Sequence, residues 1–202
     1  ETEELRSLNR RQAITIRDQA DEIERQKKDL ASYQERVARE SEEKKRLMDE
    51  LDKLAKAIGG GATVRETPEG PVIQLPEIVL FDSGMANIKS TGETALKKIA
   101  DHLKANPKEQ LRIDGHTDAD PIVKTKYMWD SNHHLAAGRA LSVFKFLTSQ
   151  EGIDEGRVYI TGYGPNRPVS DNTSDEGKRK NRRVEFLLMT STPKGGGGET
   201  GS

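Results

Sequence analysis

The chain has 202 residues, of which 32% are apolar, 33% charged and 4% aromatic, with a formal net charge of −1 and no cysteine. Spread over one globule, this composition is too polar for a good core. It also excludes bulk electrostatic attraction to nucleic acid or anionic lipid, as well as disulfides, thiol catalysis and Cys-ligated zinc. No apolar run approaches the roughly 18 residues of a spanning helix, and no signal-type segment follows a basic start.

Residues 1–58 contain neither Gly nor Pro, and about half of them are charged. They read as one long helix. Ile16, Ile23, Leu30, Val37, Leu51 and Ile58 recur at multiples of seven, with Lys44 interrupting the series. The companion seam is polar (Gln19, Gln26, Tyr33, Glu40) until Leu47 and Leu54. Two readings stand: a parallel dimeric coiled coil acting as a stalk, or a single solvated helix held by i,i+4 charge pairs. The sustained period favours the coiled coil and hence a homodimer.

Gly59-Gly60-Gly61 ends the helix, and the joint and first hairpin strand occupy 59–71. A domain over 72–190 follows. The glycine-rich tail over 191–202 is expected to be disordered. Ala62–Arg65 and Val72–Leu75 pair as a hairpin, and Ile78-Val79-Leu80-Phe81 extends the strand signal. Thr91 caps a helix carrying Leu96, Ile99, Ala100 and Leu103, which Asn106-Pro107 ends; His102 is expected on its exposed side. Gln110–Gly115 is a strand, Gly115 a sharp exit from it, and His116–Asp130 a long loop. Ser131 to Gln150 is a second helix with Ala136, Ala140, Val143 and Leu147 facing inward. Val158–Gly162 and Arg183–Met189 are strands, and Gly162-Tyr163-Gly164 is a turn. Alternating strands and helices predict an α/β (α+β) sandwich, with helices covering the sheet.

Arg139 lies at the edge of the second helix's apolar face, beside Leu135 and Val143. A guanidinium there keeps its charge and requires a carboxylate or an anionic ligand. Asn132 projects to nearly the same side two turns earlier, near the positive end of the helix dipole. Asp118, in Asp114-Gly115-His116-Thr117-Asp118, is the candidate carboxylate. Asp118 and Arg139 form either a zwitterion site, taking an ammonium and a carboxylate, or a structural ion pair. His102, His116, His133 and His134 lack metal-ligand spacing, although a hydrolase using His116, Asp118 and His133 is an alternative. The basic run through Lys178, Arg179, Lys180, Arg182 and Arg183 is flanked by Asp171, Asp175 and Glu176, which disfavours nucleic-acid binding.

Five motifs stand in order: Phe81-Asp82-Ser83-Gly84, Gly115-His116-Thr117-Asp118, Asn132-x-x-Leu135-x-x-x-Arg139-Ala140, Gly162-Tyr163-Gly164 and Asn181-Arg182-Arg183-Val184-Glu185. Together they resemble the OmpA-like peptidoglycan-binding domain shared by OmpA, Pal and MotB. Pro121-Ile122, Trp129 and Ser131-Asn132 resemble the MotB-type branch most. The resemblance implies a β-α-β-α-β fold with a mixed sheet and non-catalytic binding of the diaminopimelate-containing stem peptide, without a metal or other cofactor. Carried over by motif, Asp118 and Arg139 grip the amine and carboxylate of diaminopimelate, and Thr117, Asn132 and Leu135 line the pocket. Asp82 and Arg183 match positions near it. Where the family often has Leu-Ser-x-x-Arg-Ala, this chain has Leu135-Ala136-Ala137-Gly138-Arg139-Ala140, with a glycine inside a helix. The resemblance implies a periplasmic protein of the bacterial envelope. On this view the chain is the soluble part of a membrane-anchored protein that serves membrane-embedded motor or transport subunits. The alternative is a structural coiled-coil dimer whose pocket is vestigial.

Overall fold

The computed structural model describes residues 2–190; the expected tail beyond them lies outside the described residues. Helix α1 runs over Thr2–Ile58 and is followed by β1 (Thr63–Thr67), β2 (Gly70–Pro76), α2 (Glu77–Leu80), α3 (Ser90–Ala105), β3 (Glu109–His116), α4 (Asn132–Lys145), β4 (Val158–Gly164), α5 (Asp175–Asn181) and β5 (Arg183–Thr190). The chain divides into two compact units, one ending at Leu47 and the other beginning at Met48.

In the first unit the helix is exposed on every side through Arg46, and Leu47 is half-buried. Ile16, Ile23, Leu30 and Val37 are all exposed, so the seven-residue stripe is uncovered in the single chain. Pairs such as Arg39–Glu35 at 3.1 Å support the helix locally.

In the second unit the sheet order is β1-β2-β5-β3-β4, antiparallel throughout except for the parallel pair β3–β4. Helix α4 supplies the crossover that a parallel pair needs. Strand alternation sorts the sheet into two faces. Ile73, Leu75, Leu111, Ile113, Val184, Phe186 and Leu188 are buried on one face, where α4 packs. Arg112, Asp114, His116, Arg183 and Glu185 stand on the other. Leu96, Ile99, Leu103, Ala136, Ala140, Val143 and Leu147 complete the core; each large side chain contributes about 1.5–3 kcal/mol. Leu51 and Ala55 of α1 are also buried in this unit.

Two glycines set how closely α4 approaches the sheet. A Cβ on Gly115 would lie 2.2 Å from the Ala136 carbonyl oxygen, and one on Gly162 would lie 2.7 Å from the Ala137 nitrogen. Gly115 therefore serves close packing inside β3, not a turn out of it.

Three further expectations are corrected, and one helix is added. The apolar run Ile78–Phe81 is not a strand. Pro76 ends β2, Glu77–Leu80 turn once as helix, and only Phe81 bridges, to Ile88. His102 is buried, bonded to Glu109 at 2.9 Å and facing Glu50 at 3.5 Å, because the last turns of α1 and the start of β3 cover it. Gly162-Tyr163-Gly164 is the end of β4, since glycine at 162 admits α4 while Tyr163 faces away. Finally, the connection before β5 holds a helix, α5, capped by the Ser174 side chain accepting from the Gly177 N–H.

Candidate functional site

The residues singled out in the sequence converge on the loop after β3, the first turns of α4 and the junction of α5 with β5. Ser131 caps α4 by accepting from the His134 N–H. This fixes Asn132, whose Nδ2 donates to the Asp120 carbonyl at 2.9 Å and approaches that of Asp118 at 3.5 Å. The Thr117 hydroxyl donates to the Asp118 carbonyl at 2.9 Å. Leu135, in the first turn of α4, is buried. Trp129 anchors the loop by donating from Nε1 to the Gly84 carbonyl at 2.9 Å. Its ring lies where a Cβ of Gly138 would be, 2.5 Å from the nearest ring carbon, which accounts for glycine inside α4.

Asp118 and Arg139 do not meet directly. Asp118 Oδ2 accepts from Arg182 Nη1 at 2.5 Å, and Arg182 Nε lies 3.5 Å from Glu77 Oε2. Glu77 Oε1 in turn accepts from Arg139 Nη2 at 2.6 Å. The result is a series of alternating charge, Asp118–Arg182–Glu77–Arg139. Arg139 is 2% exposed, donates from Nε to the Met85 carbonyl at 2.9 Å and lies 5.4 Å from the Phe81 ring centroid. A buried guanidinium needs such satisfaction. Glu77 Oε2 is buried without a hydrogen bond.

The two middle members of the series, Glu77 and Arg182, line a cavity of about 770 Å³, whereas Asp118 and Arg139 stand behind its wall and do not line it. Its wall carries Glu77, Asp82 and Glu176 against Lys89, Arg179, Lys180 and Arg182, with Phe81 and Pro76 as apolar surface. Charges of both signs around an apolar floor suit a ligand that is itself zwitterionic. Asp82 stands exposed on this cavity, 3.7 Å from Lys89 Nζ.

Arg183 does not join the set. It opens β5 on the open sheet face and donates from Nε to Glu185 at 2.6 Å. Sequence reasoning missed Glu77 and Arg182. The signal for Glu77 was the need of a buried Arg139 for a carboxylate. Arg182 differs from Arg183 only by strand alternation, which becomes readable once β5 is known to start at 183. The basic run is largely paired: Lys178 with Asp120 at 3.0 Å and Lys180 with Glu176 at 2.7 Å. The histidines of the hydrolase reading are separated in their contacts. His133 Nε2 meets Asn166 Nδ2 at 2.9 Å, whereas His116 is buried on the open sheet face. No group of three or more His, Asp or Glu able to hold a metal exists among the described residues.

Residues 80–182 match the OmpA family model. The chain belongs to the OmpA family. Motility protein B of Bacillus subtilis is 32% identical over 75% of the chain, which spans 58% of that relative. The crystal structure of a MotB-like protein from Desulfovibrio vulgaris superposes with a TM-score of 0.67 at 25% identity, covering 74% of this chain and 95% of that one. The cell wall anchor of the T6SS from Pseudomonas aeruginosa matches with a TM-score of 0.57 at 32% identity, over 64% of this chain and 87% of its own. The mixed sheet with its helical layer is thus the OmpA family domain, of MotB type.

Proposed function

We propose that the chain anchors an envelope complex to the bacterial cell wall by binding peptidoglycan without cleaving it, and that it recognises the diaminopimelate of the stem peptide. The observation that carries this reading is the Asp118–Arg182–Glu77–Arg139 series beside a cavity of mixed charge. Diaminopimelate presents an ammonium and a carboxylate on one carbon. In the proposed complex Asp118 takes the ammonium, and Arg139 takes the carboxylate in competition with Glu77. Thr117, Asn132 and Leu135 form the wall near Asp118, Asp82 adds a second carboxylate, and Arg183 acts only through the β5 start that places Arg182. The family match and the likeness to a cell wall anchor support the anchoring role.

The stripe Ile16, Ile23, Leu30 and Val37, exposed in the single chain, would be covered by a second copy in a parallel coiled coil. The helix then spaces the wall-binding domain from a membrane-embedded motor or transport complex, which places the chain in the periplasm. Sedimentation equilibrium of the full chain is expected to give twice the 22.5 kDa chain mass, and a monomer would remove the coiled coil. For the binding site, the test is cosedimentation with purified peptidoglycan. Diaminopimelate-type wall should retain the protein, free diaminopimelate should compete, and lysine-type wall should retain less. Equal retention by both walls would overturn the stem-peptide reading.

A further inference from the structure

The open face of the sheet carries a second pocket, of about 290 Å³, that shares no lining residue with the first. Its floor is His116, 1% exposed, with neither ring nitrogen hydrogen-bonded; the nearest carboxylate oxygen, on Glu185, is 3.8 Å away. Tyr163 stacks on the imidazole at 5.3 Å and 20°, and the Arg167 guanidinium lies 4.0 Å over the Tyr163 ring.

The guanidinium groups around the pocket are not equally engaged. Arg112 is spent on Asp114 and Glu69. Arg183 is spent on Glu185, the Asn181 carbonyl and the Arg167 carbonyl. Arg65 commits one Nη2 to Glu185, and Arg167 has no carboxylate partner among the described residues. Four guanidiniums thus face three carboxylates across the lining. Burial and the Arg183 charge lower the His116 pKa to about 4, so the imidazole is neutral at pH 7 and one positive charge is left over.

We propose that this pocket binds a small oxyanion, a carboxylate or a phosphate, held by Arg167 and Arg65 against the His116 imidazole. A guanidinium offers such an anion paired parallel donors, and the cation–π contact with Tyr163 restrains Arg167 at the pocket lining. The neutral imidazole adds one N–H donor. This site is independent of the wall-binding reading, so either can fail alone.

The experiment is an NMR titration of the His116 ring protons in the full chain, at constant ionic strength, with inorganic phosphate and separately with acetate. A saturable shift is expected. A response to phosphate alone would assign a phosphate site, and one to acetate alone a carboxylate site. Arg167→Gln should weaken binding by about tenfold or more, with Arg65→Gln acting in the same direction, while circular dichroism and peptidoglycan cosedimentation stay at wild-type levels. No saturable shift with either anion overturns the proposal. So does an unchanged affinity in both variants, which would leave the pocket as a solvated ion network.

Discussion

Two clusters of buried charge sit on this domain, and they are built differently. On the open sheet face, Arg112–Asp114 and Arg183–Glu185 pair within single strands, two residues apart. Strand alternation fixes these partners, so the pairs hold wherever the sheet holds. At the β3 exit, by contrast, Asp118, Arg182, Glu77 and Arg139 come from four separate segments and pair only through tertiary structure. The first arrangement is a scaffold. The second has interchangeable partners, and a ligand bearing the same groups can enter it by exchange.

The sharpest way to break this contrast is to delete Arg139. Arg139→Ala leaves Glu77 buried with only the more distant Arg182 at 3.5 Å, and we expect a loss of about 3–5 kcal/mol in urea unfolding. The double replacement Glu77→Leu with Arg139→Met removes both charges and should recover a large part of that loss. A single variant of near wild-type stability would show that the pair is not closed in solution.

The sheet-face cluster is probed by acid. His116 is depressed to about 4 in the fold, against about 6.5 unfolded. Between these values the unfolded chain binds a proton that the native state refuses, so stability falls as pH drops through this window, by at most about 3 kcal/mol. His116→Gln should flatten that part of the profile. Burial alone would raise Glu185, but the charge and hydrogen bond of Arg183 outweigh it and hold the carboxylate below its usual range. Its contribution is lost only at lower pH, as its lowered pKa is passed. A wild-type profile flat between pH 6.5 and 4 would contradict the burial of His116.

Gly115→Ala tests the packing that carries both clusters. Its Cβ would meet the Ala136 carbonyl, and overpacking of this kind costs about 1–3 kcal/mol. The drop should appear in Tm, with the fold intact by circular dichroism.

Much of this was legible in the sequence. The helical spacing of Leu96, Ile99 and Leu103 gave α3, and the strand signals over Gln110–Gly115 and Arg183–Met189 gave β3 and β5. The motif set placed Asp118, Thr117, Asn132 and Leu135 together. Glu77 was hidden because a lone Glu beside an apolar run reads as surface, and Ile78–Phe81 was misread because four apolar residues carry no period to separate turn from strand. His102 looked exposed because its cover comes from distant segments, Glu50 and Glu109. Helix α5 escaped notice because it has almost no apolar face, although Ser174 and the acidic Asp175-Glu176 were its start signals.

The central claim is that Asp118 holds the wall. Asp118 is itself buried, but its partner Arg182 is a third exposed and can turn to water, so Asp118→Asn should cost about 1.5–3 kcal/mol of stability and leave the fold intact. Cosedimentation of Asp118→Asn with purified diaminopimelate-type peptidoglycan is the direct measurement. We expect the folded variant to stay in the supernatant while wild type pellets, and a variant that pellets like wild type would contradict the claim.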